Sequence, residues 1–303
     1  MTRTTRRRFL AISAAAAGMA ALPARAAAVY QWRGIALGAQ ATITLAHPQA
    51  QALTARAAAE IARLEGVFSL YRTDSALARL NATGVLEAPP FELLECLGLC
   101  GQVHHATGGL FDPTVQPLWS LYAERHAAGG APTRADIAAT LPLVGWHGVA
   151  VDSTAIRLQP GMALTLNGIA QGYIADRVAA LLRAEGLTDV LVNTGEMRAI
   201  GGRPGGGDWP VRIEGGGDFP LHEDALATSA PRGTVFDAAG TVGHILDPRD
   251  GLPAPAQWRS VSIAAPLAAV ADALSTAACL MPDRAAVEAS LAAFTGARIA
   301  AIA

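Results

Sequence analysis

The sequence is poor in charged residues, in aromatic residues and in cysteine. Charged residues make up 16% of the 303-residue chain, aromatic residues make up 5%, and the formal net charge is −2. No run of basic residues occurs after the first ten positions, so the chain lacks the cationic surface on which nucleic-acid binding depends. We therefore expect no nucleic-acid partner.

The three cysteines do not define a disulfide framework, because their number is odd. Cys96 and Cys100 lie four residues apart in a segment with helical periodicity. A lone pair at this spacing is weak evidence for zinc. We expect both side chains to be small buried hydrophobes.

Only the N-terminus resembles a membrane span. Arg6, Arg7 and Arg8 precede a short run of small apolar residues that ends in Ala-Arg-Ala. The run is shorter than the ~20 residues that a spanning helix needs, and the pattern is that of a twin-arginine export signal. A chance basic start or an uncleaved anchor is the alternative. We predict a signal peptide over residues 1–28, a single domain over 29–303 and a periplasmic location.

Hydrophobic periodicity predicts a mixture of helices and strands without regular βαβ alternation, in an α+β domain. Hydrophobic residues make up 51% of the chain, enough for a large core. Expected helices cover residues 51–71, 91–106, a segment that ends at 183, and 267–281, and a short helix follows an N-cap at Asp74 or Ser75. Expected strands lie in 31–46, 143–158, 189–194, 243–251 and 259–266, and a Gly-rich surface loop around one strand covers 201–218.

The stretch LTLNGIAQGYIADRV, residues 164–178, reads as a short strand that turns into a helix. The turn carries Asn167, Gly168 and Gly172. It is either an economical loop, or a place where the backbone must approach an anion or a metal.

Two further segments carry candidate chemistry. In the almost wholly apolar helix 267–281, Asp272 and Thr276 share a face. Asp272 either favours the helix dipole as a structural residue, or forms with Thr276 a clamp for a hard cation such as Mg²⁺ or Ca²⁺. His244 opens the stretch GHILDPRDG. It is either a structural hydrogen-bonding residue or a general base near neutral pH.

Five stretches, taken together and in order, resemble the FAD:protein FMN transferase (ApbE) family over about residues 35–282. They are LYRTDSALARLN, TGGLFDPTVQPLW, NGIAQGYIADRVAALLRAEG, LATSAP, and HILDPRDGLP with SVSIAAPLAAVADALSTA. The resemblance implies a mixed α/β domain that binds FAD and Mg²⁺. It also implies that the enzyme releases AMP and places FMN on a Thr or Ser hydroxyl of an exported acceptor flavoprotein.

The resemblance also implies roles for single residues. Asp272, Thr276 and the Gly168 carbonyl would hold Mg²⁺, and His244 would take the proton from the acceptor hydroxyl. Tyr71 would lie against the flavin. The other residues implied to line the FAD cleft are Leu37, Leu110, Phe111, Asp112 and Ile245.

The chain departs from the family pattern beside the opening stretch. Thr165 and Gln171 stand where the family has an FAD-contacting Asp and a Lys, and Glu196 is a candidate for the Asp of a shortened Gly-Gly-Asp loop. This variant resembles the branch associated with nitrous oxide respiration, whose acceptor is a membrane flavoprotein. Two other functions stay open: an FAD pyrophosphatase that yields FMN and AMP, and a non-catalytic periplasmic flavin-binding protein.

Overall fold

The computed structural model describes residues 28–303; the predicted signal peptide therefore lies almost wholly outside the described residues. The helices are α1 (Ala50–Phe68), α2 (Ala76–Thr83), α3 (Phe91–Ala106), α4 (Gln116–Ala127), α5 (Arg134–Thr140), α6 (Ala170–Ala184), α7 (Ala268–Ala278) and α8 (Arg284–Leu291). The strands are β1 (Tyr30–Ala36), β2 (Ala39–Leu45), β3 (Val85–Glu87), β4 (Val149–Val151), β5 (Ala155–Leu158), β6 (Val190–Asn193), β7 (Met197–Ile200), β8 (Trp209–Ile213), β9 (Gly217–Leu221), β10 (Ala225–Ser229), β11 (Val261–Ala265) and β12 (Arg298–Ile302).

The main sheet of the described chain has seven strands in the order β1-β2-β6-β7-β10-β11-β12. Each neighbouring pair is antiparallel, including the pairs β2–β6 and β7–β10 that lie far apart in sequence. A three-stranded sheet of β3, β5 and β4 and the hairpin β8–β9 complete the strands. The expected α+β class is therefore confirmed, and no βαβ unit is present within residues 28–303.

Helix α7 is the most buried helix, and this follows from its composition. All of its residues except Thr276 are buried, Asp272 included. It packs against β10 and β11 on one side and against α6 and α3 on others. A helix that is apolar all round has no face to present to water, so α7 lies inside the core and carries its polar residues there with it.

Most predicted helices are confirmed, because their signals are local. The apolar stripe of α1 buries Ile61, Leu64 and Phe68. Ser75 accepts the N–H of Ala78 at the start of α2, and Gly84 ends that helix in the left-handed conformation. Cys96 and Cys100 are buried free thiols on α3, as expected.

Four predicted strand assignments are wrong or incomplete. Residues 243–251 are not a strand; Gly243 and Leu246 each form only an isolated bridge. Residues 164–166 do not form a strand. The Gly-rich segment 201–218 contains β8 and the start of β9, two strands rather than one. The first part of the predicted strand segment 143–158 forms 3₁₀ turns, and strand pairing begins only at Val149. In each case the apolar residues were identified correctly, but the backbone does not form the strand pairing that the pattern predicted.

None of the helices within residues 28–303 is long and apolar enough to cross a membrane.

Candidate active site

The bend at residues 164–168 is fixed by two hydrogen bonds from a distant side chain. Asn81 on α2 donates to the Leu164 carbonyl at 2.8 Å and accepts the Leu164 N–H at 2.7 Å. The Thr165 N–H donates to the Pro113 carbonyl at 2.8 Å. These groups satisfy the backbone of the segment in place of a neighbouring strand, and they fix its position before α6.

Gly168 lies directly against α7. A Cβ on Gly168 would sit 3.0 Å from Thr276 Oγ1 and 3.3 Å from Thr276 Cγ2, with Phe111 3.5 Å away. The structure thus brings together three residues that the sequence places more than 50 positions apart. A small residue is needed here because the bend, the Thr276 hydroxyl and the Phe111 ring share this space.

Asp272 is the charged residue at this contact. It is 4% exposed, and its Oδ2 accepts the Gly172 N–H at 3.3 Å. The pKa of Asp272 is raised to about 7. Burial is the main cause and the charge of Asp176 adds to it, while the hydrogen bond from the Gly172 N–H acts in the opposite direction. A buried carboxylate with one long hydrogen bond is incompletely compensated.

The oxygen atoms around Asp272 suit a hard cation. A carboxylate, the Thr276 hydroxyl and the backbone carbonyls of the Gly168 bend are the ligand types that Mg²⁺ and Ca²⁺ prefer. No group of three or more His, Cys, Asp or Glu side chains able to hold a metal occurs within residues 28–303. A cation at this position would therefore depend on neutral oxygens as well as on Asp272.

A chain of hydroxyl groups extends from the same site to the main sheet. Ser229, at the end of β10, lies 2.7 Å from Ser275 Oγ and 3.2 Å from Thr276 Oγ1. Ser275 also donates to the Asp272 carbonyl at 2.9 Å. The sequence analysis included Ser229 only within the stretch LATSAP, since nothing local indicates that β10 ends against α7.

Asp176 fixes the start of α7, and the sequence analysis missed it. Its two carboxylate oxygens accept the N–H groups of Ala268 and Ala269, each at 2.9 Å. Arg198 lies 3.3 Å from Oδ1. Asp176 stands one helical turn after Gly172 on the same face of α6. That spacing, with a lone carboxylate on an apolar face, was the available signal.

His244 lies in the irregular segment that follows the 231–243 loop. Its Nδ1 lies 3.0 Å from the Thr234 carbonyl, which can only accept, so the neutral ring carries its proton on Nδ1 and its lone pair on Nε2. Burial lowers the pKa of His244, although the Thr234 and Pro231 carbonyls raise it. The ring is therefore in the state that a general base requires at neutral pH.

A short chain segment links His244 to the hydroxyl groups of the Asp272 site. Pro231 follows Ser229 by two residues, which span at most about 7 Å. A Cβ on Gly243 would lie 2.1 Å from the Pro231 carbonyl oxygen. The backbone just before His244 is thus packed against the end of β10.

Tyr71 lies at the rim of an open groove. Its side chain is 60% exposed, and the groove encloses about 420 Å³. Trp119 and Asn167 are among the other lining residues, so the groove borders the Gly168 bend. A second concavity, of about 470 Å³, lies beside α8 and β12 and contains none of the predicted site residues.

Asp112 has its carboxylate occupied within the protein. Oδ1 accepts from the Thr114 N–H at 2.8 Å and from the Thr114 hydroxyl at 2.6 Å, and Oδ2 accepts the Trp146 N–H at 3.1 Å. Asp112 therefore organises the loop that carries Leu110 and Phe111. Contact between Asp112 and FAD stays a prediction.

The remaining predicted cleft residues differ in environment. Leu37 has a positive φ of 46° in the β1–β2 turn, and its N–H donates to Glu65 Oε1 at 2.8 Å. Ile245 is 7% exposed. Gln171 packs flat on Gly195, where a Cβ would lie 2.7 Å from its amide nitrogen. Contact of these residues with FAD stays a prediction.

The chain belongs to the ApbE family, whose model matches residues 37–297. A Treponema pallidum FAD:protein FMN transferase is 33% identical over 265 residues, covering 73% of this chain and 72% of the relative. A Klebsiella pneumoniae FAD:protein FMN transferase is 28% identical over 253 residues, covering 78% and 77% of the two chains.

Solved structures agree with this membership. The ApbE protein of Thermotoga maritima superposes with a TM-score of 0.80 at 27% identity, covering 90% of this chain and 93% of that one. The apo flavinyl transferase ApbE of Pseudomonas stutzeri gives 0.76 at 28% identity, covering 88% and 87%. The flavin transferase ApbE of Vibrio cholerae, at 22% identity and a TM-score of 0.75, shows the shared fold.

Proposed function

We propose that this protein transfers FMN from FAD to a Thr or Ser hydroxyl of an acceptor flavoprotein and releases AMP. The transferase class follows from its family, whose curated relatives carry the name FAD:protein FMN transferase. The structural observation that carries the proposal is the contact of the Gly168 bend with Thr276, one helical turn from the buried Asp272. Phosphoryl-group transfer needs charge neutralisation at such a point.

Asp272, Thr276 and the Gly168 carbonyl would hold Mg²⁺. The bound cation would neutralise charge on the pyrophosphate as the bond to the leaving group breaks. The protein's part is to hold the two donors on α7 and the carbonyl of the bend before α6 in fixed relative positions. The Gly168–Thr276 approach and the Gly172 hydrogen bond to Asp272 do this by joining the start of α6 to α7.

His244 would act on the acceptor. The acceptor oxygen attacks the phosphorus on the FMN side of the pyrophosphate, and the bond from that phosphorus to the bridging oxygen breaks. AMP leaves with the bridging oxygen, and the hydroxyl proton passes to Nε2 of His244. The hydrogen bond of Nδ1 to Thr234 supports this role, because it places the lone pair of the neutral ring on Nε2.

The FAD cleft is proposed along the groove at Tyr71 and the surfaces that meet the Gly168 bend. Tyr71 lines this groove and is largely exposed, which supports its contact with a flavin there. The cleft would be lined further by Leu37, Leu110, Phe111, Asp112, Thr165, Gln171 and Ile245. Neutral Thr165 and Gln171 supply hydrogen-bonding groups rather than charges, so we expect modest FAD affinity.

The acceptor and the location are proposals from the sequence. The basic N-terminal segment supports export by the twin-arginine route to the periplasm, where a Thr- or Ser-bearing flavoprotein is the partner. The pattern around Thr165, Gln171 and Glu196 supports the branch whose acceptor is a membrane flavoprotein of nitrous oxide respiration.

Mass spectrometry of an acceptor tests the function directly. Residues 29–303 are incubated with FAD, Mg²⁺ and an exported flavoprotein domain that carries an acceptor Thr. We expect the acceptor to gain the mass of one FMN residue, and the gain to vanish when a chelator is added. Release of AMP and free FMN without acceptor labelling would indicate the pyrophosphatase instead. Bound FAD with no AMP release, repeated with a second acceptor, would indicate a flavin-binding protein.

A further inference from the structure

Glu196 is a buried carboxylate in the turn between β6 and β7. It is 8% exposed. The turn is tied to the start of α6, because the Thr194 hydroxyl donates to the Gln171 carbonyl at 2.8 Å, and the Thr194 N–H donates to the Glu196 carbonyl at 3.0 Å. The Glu196 backbone is therefore held beside the first turn of α6, the turn whose Gly172 N–H reaches Asp272.

The Glu196 side chain points to the other side of the same site. Its Oε2 accepts the N–H of Thr228 on β10 at 3.1 Å. The next residue, Ser229, touches Thr276 at 3.2 Å. Glu196 is thus bracketed by two segments that each contact a proposed cation ligand. Its other oxygen, Oε1, accepts no hydrogen bond from any residue within 28–303.

The two buried carboxylates, Glu196 and Asp272, influence each other electrostatically, and neither has a counter-charge within residues 28–303. After burial, the charge of Asp272 is the main cause that holds the pKa of Glu196 above its ordinary value. In the described part of the chain no arginine or histidine forms an ion pair with either carboxylate. The sequence contains 23 basic residues, all of them arginine, and Gln171 is neutral. A bound cation would relieve the repulsion between two such carboxylates.

We propose that Glu196 supplies a second carboxylate to the divalent-cation site at Asp272, so that cation affinity depends on both side chains. The proposal rests on the proposed function, which places the cation at Asp272. The cation is of the hard, oxygen-seeking class, because every group around it is a carboxylate, a hydroxyl or a carbonyl. In the absence of FAD, two carboxylates match the charge of one divalent cation, whereas Asp272 alone supplies a single negative charge.

Glu196→Gln separates cation binding from a structural role. The amide oxygen still accepts the Thr228 N–H, but the negative charge is lost. We expect calorimetric titration of residues 29–303 with MgCl₂, with and without FAD, to give roughly 10–100-fold weaker binding for the variant. Glu223→Gln is the matched control, because Glu223 also accepts a backbone N–H, that of Gly201 at 2.7 Å, near the far end of β7. It should leave the Mg²⁺ affinity unchanged.

Asp272→Asn distinguishes the two levels of the proposal. Loss of Mg²⁺ binding in Asp272→Asn with wild-type affinity in Glu196→Gln would overturn the role of Glu196 alone. Wild-type affinity in both variants, or no Mg²⁺ binding by the unaltered protein, would overturn the cation site as well. The thermal midpoint without Mg²⁺ gives a further check. If Glu196 has only a structural role, Glu196→Gln should lower this midpoint. If the variant removes an uncompensated negative charge, the midpoint should rise.

Discussion

Gly172 on α6 touches the backbone of Ala268 at the start of α7. A Cβ on Gly172 would lie 2.3 Å from the Ala268 carbonyl oxygen and 2.7 Å from the Ala269 nitrogen. The obstacle is backbone at both points, so no side chain can move aside. This contact sets how closely α6 approaches α7, and with it the position of Asp272 relative to the Gly168 bend.

Gly172→Ala should therefore push the two helices apart. We expect the free energy of unfolding to fall by about 1–3 kcal/mol, and Mg²⁺ binding to weaken because Asp272 and Gly168 separate. Urea denaturation and calorimetry measure the two effects. Gly98→Ala on α3 is the control, since a Cβ there meets nothing within 4 Å, and it should stabilise by about 0.5–1 kcal/mol. Equal stability of the two variants would contradict the close contact.

Asp176→Asn should loosen the start of α7. The amide has a single acceptor oxygen for the two N–H groups of Ala268 and Ala269, and it leaves Arg198 without its carboxylate. We expect a loss of about 1–3 kcal/mol in urea denaturation. Asp283→Asn, at the N-cap of α8, is the matched control and should cost only a few tenths, because Asn caps almost as well as Asp.

The same residue predicts a pH dependence. Burial raises the pKa of Asp176 to about 6 from 3.8 in the unfolded chain, against the opposing hydrogen bonds and Arg198. Between these values the folded state binds more protons, so the stability contributed by Asp176 is present below pH 4 and is lost as the pH rises to about 6. The stability difference between wild type and Asp176→Asn should therefore shrink over this interval. A difference that grows from pH 4 to 6 would contradict it.

His244→Ala should slow FMN transfer by roughly 10²–10⁴-fold while FAD still binds. Because burial lowers the pKa of His244 below its ordinary value, the acid limb of the kcat/KM profile of the unaltered enzyme should have its midpoint below that of a free imidazole, as Nε2 becomes protonated. A pH–rate profile and a fluorescence titration of FAD check both points. If the variant loses FAD binding, His244 is a ligand contact or a structural residue rather than the base.

Asp272→Asn should have opposite effects on the metal-free and the metal-bound protein. Burial raises the pKa of Asp272 to about 7, so above pH 7 the ionised side chain opposes folding. We expect the metal-free variant to be about 1–3 kcal/mol more stable than wild type at pH 8. Wild type should gain thermal stability with added MgCl₂ and the variant should not. A variant that gains as much as wild type would place the cation elsewhere.

Helices were largely predictable from the sequence, because their signals act within one or two turns. The apolar stripe of α1, the Ser75 cap and Gly84 of α2, and the all-apolar composition of α7 each state a local preference. The position of Asp272 and Thr276 on one face of α7 was predictable for the same reason, since a helix places residues four positions apart on one face.

Strand partners were not predictable in the same way. The segment 243–251 has a strand-like apolar pattern, but it forms only isolated bridges. Its backbone lies beside loop residues such as Val235 and Pro253 and not beside the edge of a sheet. Residues 164–166 likewise pair with the side chain of Asn81 and the carbonyl of Pro113. Apolar alternation indicates that a segment is buried, and it does not tell which backbone groups lie opposite.

The sequence by itself determined the α+β class, the central apolar helix and the chemical types of the candidate site: a carboxylate, a hydroxyl, a small-residue bend and an imidazole. Only the tertiary structure brought Gly168 against Thr276, Asp176 to the start of α7 and Glu196 to the Asp272 site. These contacts join residues about 75 to 110 positions apart. They arise because the antiparallel sheet and the packing of α6 on α7 bring distant segments together. Local periodicity carries no information about which distant segments will be in contact.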